Sequence, residues 1–326
     1  MSDLFKIDFA QVPAVYHRQF GDCLVTTICD GYVAYDTLDI MRDPDHAKLR
    51  RFLEDDGRVC PPVVSINAFL IRDGARKVLV DCGSGQIMGP SCGRLPDLLA
   101  HLDIAPEQIT DILLTHVHPD HSNGLTDPET GGKLFPKARL HVHQAEIEHW
   151  FDDTERARAT ERQKRVYFDA ARVQLAPWLA DGSVTSFRHT HEVLPGITAL
   201  PSVGHTPGHS CYILRKSHEA MIIWGDTVHI PEVQLGDPDV GMVFDSDSLV
   251  AARSRRHILQ MCVDNDLLVA GMHIHFPGLA RVRPGHPGAF RIIQEQWFHA
   301  QNHGQRPDIL RQDSTTPLPN TSRNDQ

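Results

Sequence analysis

The sequence predicts an α/β fold of the αββα-sandwich kind, two mixed β-sheets packed face to face and flanked by helices. Three observations carry that expectation. Short apolar, β-branched runs alternate with helical stretches along most of the 326 residues. The alternation recurs in two similar halves, the texture of strands and helices layered on one another. Residues of metal-binding type stand just beyond several of the apolar runs, where a shared sheet edge would collect them. Because those residues run from His116 to His273, one domain has to bring them together, and a hydrophobic content of 41% is enough for a large core.

In chain order, residues 1–60 read as an N-terminal extension packed on the core. It holds one strand-like run, Cys23–Cys29, ended by the turn signal Asp30-Gly31. The charged stretch Asp43–Asp56 reads as a helix or a surface lobe. Residues 61–300 are expected to form the main domain. Strands are expected over Ser65–Ile71 and Lys77–Val80, joined by a turn at Arg72–Ala75, then a loop over Asp81–Gly85 and a helix over Leu95–Leu102. The run Ile109–Thr115 is a buried strand, Arg139–His143 another, and Gln144–Leu179 is helical. Strands follow at Val184–Phe187, Ile197–Val203, Cys211–Leu214 and Ala220–Trp224. A helix over Asp247–Val263 precedes the last sheet strand, Asp266–Ala270. The Pro-, Asn-, Ser- and Thr-rich tail, 301–326, is too polar to pack and reads as disordered.

The chemistry concentrates in Thr115-His116-Val117-His118-Pro119-Asp120-His121. In an extended chain His116 and His118 point the same way. Pro119 suits the first position of a helix, which swings Asp120 and His121 round. Two imidazoles would then face one metal, and a carboxylate with a third imidazole a second. Divalent ions of zinc's borderline softness take this mixture of nitrogen and oxygen donors. Further donors lie downstream: His205 in Gly204-His205-Thr206-Pro207-Gly208-His209, Asp226 in Trp224-Gly225-Asp226-Thr227, and His273 in Met272-His273-Ile274-His275.

With these segments in this order the chain resembles the metallo-β-lactamase superfamily, whose HxHxDH motif and three later ligands have the same sequence of appearance. The resemblance implies that His116, His118 and His205 hold one metal, that Asp120, His121 and His273 hold the other, and that Asp226 bridges them. Within the superfamily the runs Trp224–His229, Phe244–Ser248 and Met272–Gly278 are most similar to methyl-parathion-hydrolase-like and N-acyl-homoserine-lactonase-like enzymes. The lactonases place a tyrosine three positions after the bridging aspartate. Here that position is His229, a departure toward the phosphotriesterase-like branch.

The function expected is that of a dinuclear metal-dependent hydrolase, with two divalent ions, zinc by default, and a small-molecule lactone, ester or aryl phosphotriester as substrate. Two such ions about 3.5–4 Å apart share a water, lower its pKa toward ~7 and hold it as an attacking hydroxide. Asp120 is expected both as ligand and as a catalytic carboxylate that orients the nucleophile or passes a proton. His229 is expected to be neutral and catalytic, donating to the developing oxyanion. Asp81 and His209 would orient ligand histidines. His275 competes with His273 for the last ligand position, and the resemblance favours His273. His141 and His143 read as ordinary strand histidines and Cys211 as packing. Trp150 resembles the aromatic wall of the leaving-group pocket in the methyl parathion hydrolases; Phe151, and more weakly Phe168, would join it.

Composition narrows the alternatives. A net charge of −10 leaves no basic stripe for nucleic acid. The dense basic run Arg253–Arg256 reads as a solvated helix face. No segment approaches the ~18 consecutive apolar residues of a membrane span. The acidic N-terminal start does not resemble a signal peptide, and seven cysteines without a CxxC pair read as reduced thiols. A cytoplasmic homodimer is the expected state. A β-lactamase or a thioesterase of the same fold, or a non-catalytic metal-binding partner protein, are the competing readings.

Overall fold

The structure, a computed structural model, describes residues 14–296; the tail expected over 301–326 lies outside them. Chain order gives β1 (Val15–Phe20), β2 (Cys23–Ala34), β3 (Met41–Arg42), β4 (Val63–Asp73), β5 (Arg76–Val80), β6 (Asp111–Leu113), β7 (Arg139–His143) and β8 (Val184–Phe187). The second half supplies β9 (His191–Leu194), β10 (Ile197–Pro201), β11 (Ser210–Lys216), β12 (Glu219–Ile223), β13 (Gly241–Met242), β14 (Leu268–Ala270), β15 (Leu279–Pro284) and β16 (Phe290–Gln294). They form two seven-stranded sheets, ordered β1-β2-β4-β5-β6-β7-β8 and β16-β15-β14-β12-β11-β10-β9, with β3 and β13 as a small pair apart. Both sheets are mixed. β5, β6, β7 and β8 run parallel, as do β12 and β14, and the other pairs are antiparallel.

The period-two alternation of strand side chains builds the layers. Val78 and Val80 of β5 meet Met221 and Ile223 of β12 and Leu268 and Ala270 of β14 in the core between the sheets. The intervening Leu79 turns outward to Leu98, Leu99, Leu175 and Trp178 of the helices covering the first sheet. Ile222 and Val269 likewise turn outward to Ile258, Leu259 and Cys262 of the helix Ser248–Asp264, whose N-cap Asp247 accepts from the Leu249 and Val250 N–H groups. Each such aliphatic side chain, fully buried, contributes about 1.5–3 kcal/mol. The expected αββα sandwich is the observed architecture.

The structure also differs from the sequence reading. β2 does not end at Asp30-Gly31: it continues to Ala34 through a bulge between Cys29 and Gly31. The buried Asp30 carboxylate is put to structural use, accepting from Ser84 N and Oγ, Gly93 N and Leu95 N. β1 and β2 belong to the first sheet itself, so from Val15 onward the N-terminal stretch supplies strands to the core and does not merely pack on it. β14 is not the last strand either: β15 and β16 extend the second sheet antiparallel, starting from the pair Ala270↔Leu279. In the basic run, Arg253 is exposed but Arg255 is not solvated. It is 1% exposed and donates to the carbonyls of Thr227, Pro238 and Val240, tying the helix to the loop after β12. The stretch 43–56 is the helix His46–Asp55, whose Leu49 and Leu53 pack with Ile230 and Val233. Among the described residues no helix is long and apolar enough to cross a membrane.

Candidate metal centre

Five strands stop along one edge of the sandwich, and the loop after each delivers a polar side chain. β5 leads into Asp81, β6 into the His116–His121 segment, β10 into His205, β12 into Asp226 and β14 into His273. Ligand sites in α/β sheets gather beyond the carboxyl ends of strands in this way. Two tight approaches help. Gly225 has φ +56, and a Cβ there would stand 2.5 Å from His209 Nε2, so only glycine lets the chain place Asp226. Gly204 (φ +124) packs its backbone on Ala251, where a Cβ would come within 2.2 Å of the amide nitrogen.

Two groups of donors result, His116–His118–His205–Asp226 and Asp120–His121–Asp226–His273; within each, the ligand atoms lie within 4.8 Å of one another. Asp226 belongs to both and divides its oxygens between them. Its Oδ2 is 3.1 Å from His205 Nε2 and 3.5 Å from His116 Nε2, while its Oδ1 is 3.0 Å from His121 Nε2 and 3.1 Å from His273 Nε2. His205 Nε2 lies 2.9 Å from His118 Nδ1, and Asp120 Oδ2 is 3.4 Å from His121 Nε2 and 3.5 Å from His273 Nε2.

The donor set fits a pair of divalent cations. His121 Nε2, His273 Nε2 and Asp226 Oδ1 are buried and face one another without a hydrogen bond between them. A buried polar atom left unsatisfied costs about 1–3 kcal/mol, and a cation among these three would satisfy all of them. Charge tells the same story. Burial opposes a proton on His205, but Asp226 and Asp245 outweigh it and push its pKa up to about 9. Burial also opposes the charge on Asp226, yet the surrounding imidazoles hold its carboxyl well below the usual range. Burial first, and then the neighbouring imidazoles, hold His116 and His118 well below 6.5, so their ring nitrogens keep lone pairs for a cation.

A second layer fixes the rings. Asp81 Oδ2 lies 2.7 Å from His121 Nδ1 and 2.8 Å from Thr115 Oγ1, and Asp81 Oδ1 accepts the Thr115 N–H. Asp245 Oδ1 lies 2.9 Å from His205 Nδ1, and the Ser65 carbonyl 2.8 Å from His273 Nδ1. His209 accepts the Asp226 N–H through Nε2 while its Nδ1 faces the Ser202 carbonyl, so it holds the backbone of Asp226 and no histidine. Buried Glu146 clamps the motif from behind: it accepts from Val117 N, Gly208 N and the Trp150 indole. Asp245 and Glu146 were not assigned these tasks from the sequence. Asp245 sits in a run already conspicuous there, whereas nothing local marks Glu146, an acid in the first turn of the helix Gln144–Trp150.

The other expected residues separate cleanly. His275 points away, to Glu232 at 2.9 Å, and joins neither group. His141 is paired with Asp111 and His143 with the Arg188 carbonyl. Cys211 is buried packing against Trp224 and Thr227. A cavity of about 910 Å³ opens over the centre, lined by His118, Asp120, Asp226, His229 and His273 and walled by Tyr35, Tyr167 and Phe244 among aliphatic side chains, with Arg162, Arg165 and Asp169 also on its lining. Trp150 and Phe151 do not line it. Trp150 is 3% exposed and packs behind His118, Phe151 faces outward beside Arg172, and Phe168 is core. The helix that carries Trp150 is held by Glu146, which turns the indole inward. His229 lines the cavity with Nε2 fixed 2.8 Å from Asp226 Oδ2; burial lowers its pKa to about 4, so the ring is neutral.

The class that this fold and this site define is the metal-dependent hydrolase. The sequence pattern of the metallo-beta-lactamase superfamily matches residues 61–273, and the chain belongs to that superfamily. Among solved structures, it is similar to the hydrolase AbOPH of the beta-lactamase superfamily, with 26% identity and a TM-score of 0.83 over 89% of this chain and 100% of that one. It is also similar to AidC, a dizinc quorum-quenching lactonase in complex with its N-hexanoyl-L-homoserine product, at 22% identity and a TM-score of 0.81 over 87% and 98% of the two chains. An N-acyl homoserine lactone hydrolase with that product at its catalytic metal centre shares 16% identity, with a TM-score of 0.56 over 80% and 100%. No curated protein sequence matches the chain.

Proposed function

We propose that this chain is a two-metal hydrolase of neutral carboxyl esters, lactones foremost. The observation that carries the proposal is the division of Asp226, one oxygen to each group of imidazoles, with three buried ligand atoms that nothing else satisfies. His116, His118 and His205 would hold one ion, Asp120, His121 and His273 the other, and Asp226 both; zinc suits these nitrogen and oxygen donors. When bound, such a pair supplies a hydroxide at neutral pH and polarises the oxygen of the bond to be cleaved.

The protein's own residues do the rest. Asp120 reaches the second group through Oδ2 and borders the cavity, which supports assigning its other oxygen to take a proton from the nucleophile and hand it to the leaving alkoxide. His229 is better suited to positioning than to donation. If its Nε2–H donates to Asp226 Oδ2, the neutral ring leaves Nδ1 only a lone pair, which cannot stabilise an oxyanion. The cavity walls are largely apolar, with Arg162 and Arg165 on the same lining, and suit an uncharged substrate. Support for lactones comes from the similarity to AidC and to the homoserine lactone hydrolase. The aromatic walls Tyr35, Tyr167 and Phe244 favour a second neutral class at the same centre, aryl phosphotriesters, whose ring they would stack against. The test is a parallel assay of the metal-loaded protein on simple lactones, aryl esters, a paraoxon-like triester and a cephalosporin, each with and without chelator. Chelator-sensitive turnover of the lactones is the expected result. Turnover of the cephalosporin alone would defeat the proposal.

A further inference from the structure

One hydroxyl in the cavity has no role in the account so far. Tyr35 follows directly on β2; its N–H donates to the Pro62 carbonyl at 3.1 Å, and its ring packs on the Leu38, Ile40 and Val64 cluster. Backbone and ring are thus fixed before any substrate arrives. The phenol lines the same cavity as Asp120, Asp226, His229 and His273. Among the described residues its O–H has no hydrogen-bond partner. Neighbouring polar groups are occupied: His229 is held by Asp226, and Tyr167 stands beside the Arg162 guanidinium. Burial first, then the Asp120 and Asp226 carboxylates, push the Tyr35 pKa up, so the group remains a neutral O–H donor.

We propose that Tyr35 is a catalytic hydrogen-bond donor, its O–H donating to the carbonyl or phosphoryl oxygen of the substrate as negative charge builds there. The assignment rests on the hydrolase reading above. A donor already held on the cavity lining, with no protein acceptor to give up, loses little by reorganising when that charge appears. It also answers what His229 leaves open, since a neutral imidazole bound through its N–H to Asp226 has no second proton to offer.

The test compares the metal-loaded wild type with Tyr35→Phe and with Tyr32→Phe, a control whose exposed phenol lies three residues earlier, on β2 and outside the cavity. Three quantities are read: kcat and KM on a lactone and an aryl ester, metal content, and calorimetric affinity for an aryl methylphosphonate monoanion, a tetrahedral mimic that binds without turnover. Tyr35→Phe is expected to lose about 100-fold in kcat, the usual effect of removing one such donor. KM and metal content should hold, the phosphonate affinity should fall, and Tyr32→Phe should match wild type. An unchanged kcat, a loss confined to KM, a rate loss that follows metal content, or an unchanged phosphonate affinity would each overturn the assignment. A metal-loaded wild type inactive on every ester, lactone and triester would instead overturn the functional reading and, with it, this one.

Discussion

Asp81 Oδ2 and His121 Nδ1 stand 2.7 Å apart, both buried, and Asp81 adopts φ +58 to make the contact. A non-glycine residue in that region of backbone space is uncommon, and the surrounding bonds from Thr115 are what hold it there. The carboxylate fixes which way His121 turns Nε2 toward Asp226. Asp81→Asn keeps the shape and removes the charge. Metal affinity at the His121 group should fall about 10–100-fold, measured by competition with a chromophoric chelator, while the His116 group keeps its metal.

Trp150 gives a prediction of the opposite kind. Its indole N–H donates to Glu146, which also holds the Val117 and Gly208 amides. Trp150→Phe leaves a buried carboxylate oxygen short of one donor, a loss of about 1–3 kcal/mol. Urea unfolding should show that loss, and the ranking of substrates should not change. A changed ranking with unchanged stability would put Trp150 back in the cavity wall.

His273 and His275 separate on a two-residue spacing. His273→Ala removes a donor whose Nε2 lies 3.1 Å from Asp226 Oδ1, so one metal and most activity should go. His275→Ala breaks only a hydrogen bond with Glu232, which Arg58 also contacts, so both metals should stay. Metal analysis of the two purified variants decides between them.

His209 sets a pH dependence. Burial above all lowers its pKa to about 3, against an ordinary value of 6.5. Between those limits the unfolded chain binds a proton that the folded chain refuses, so folding stability rises with pH through that window and levels off above it. Urea unfolding of chelator-treated protein from about pH 4 to 7 should show this slope. His209→Asn, which has no proton to gain, should lessen the slope by one residue's share, the rest staying with the buried His116 and His118, at the expense of stability at neutral pH.

Much of this was legible in the sequence because it was local. Continuous apolar runs such as Val78–Val80 and Met221–Ile223 announce strands buried on both faces, and the short segment His116–His121 carries donors that need no long-range information to be paired. What escaped depends on tertiary contact. β1 and β9 are short edge strands with mixed burial, and their pairing is decided by neighbours. Asp30-Gly31 has the chemistry of a turn, yet the sheet continues through it because the Asp30 carboxylate finds four donors elsewhere in the chain. The cavity walls Tyr35, Tyr167 and Phe244 come from three separate loops and helices, so no window of sequence contains them together. Trp150 misled for the same reason: a helix face read alone does not say which neighbour it meets.

The central claim is that one carboxylate, Asp226, joins two metal positions, and elemental analysis of wild type beside Asp226→Ala tests it most directly. Wild type should approach two equivalents per chain, in keeping with the two donor groups, and Asp226→Ala should lose both together along with activity. A fully active wild type holding a single equivalent, or an Asp226→Ala protein that keeps one metal at full affinity, would contradict it.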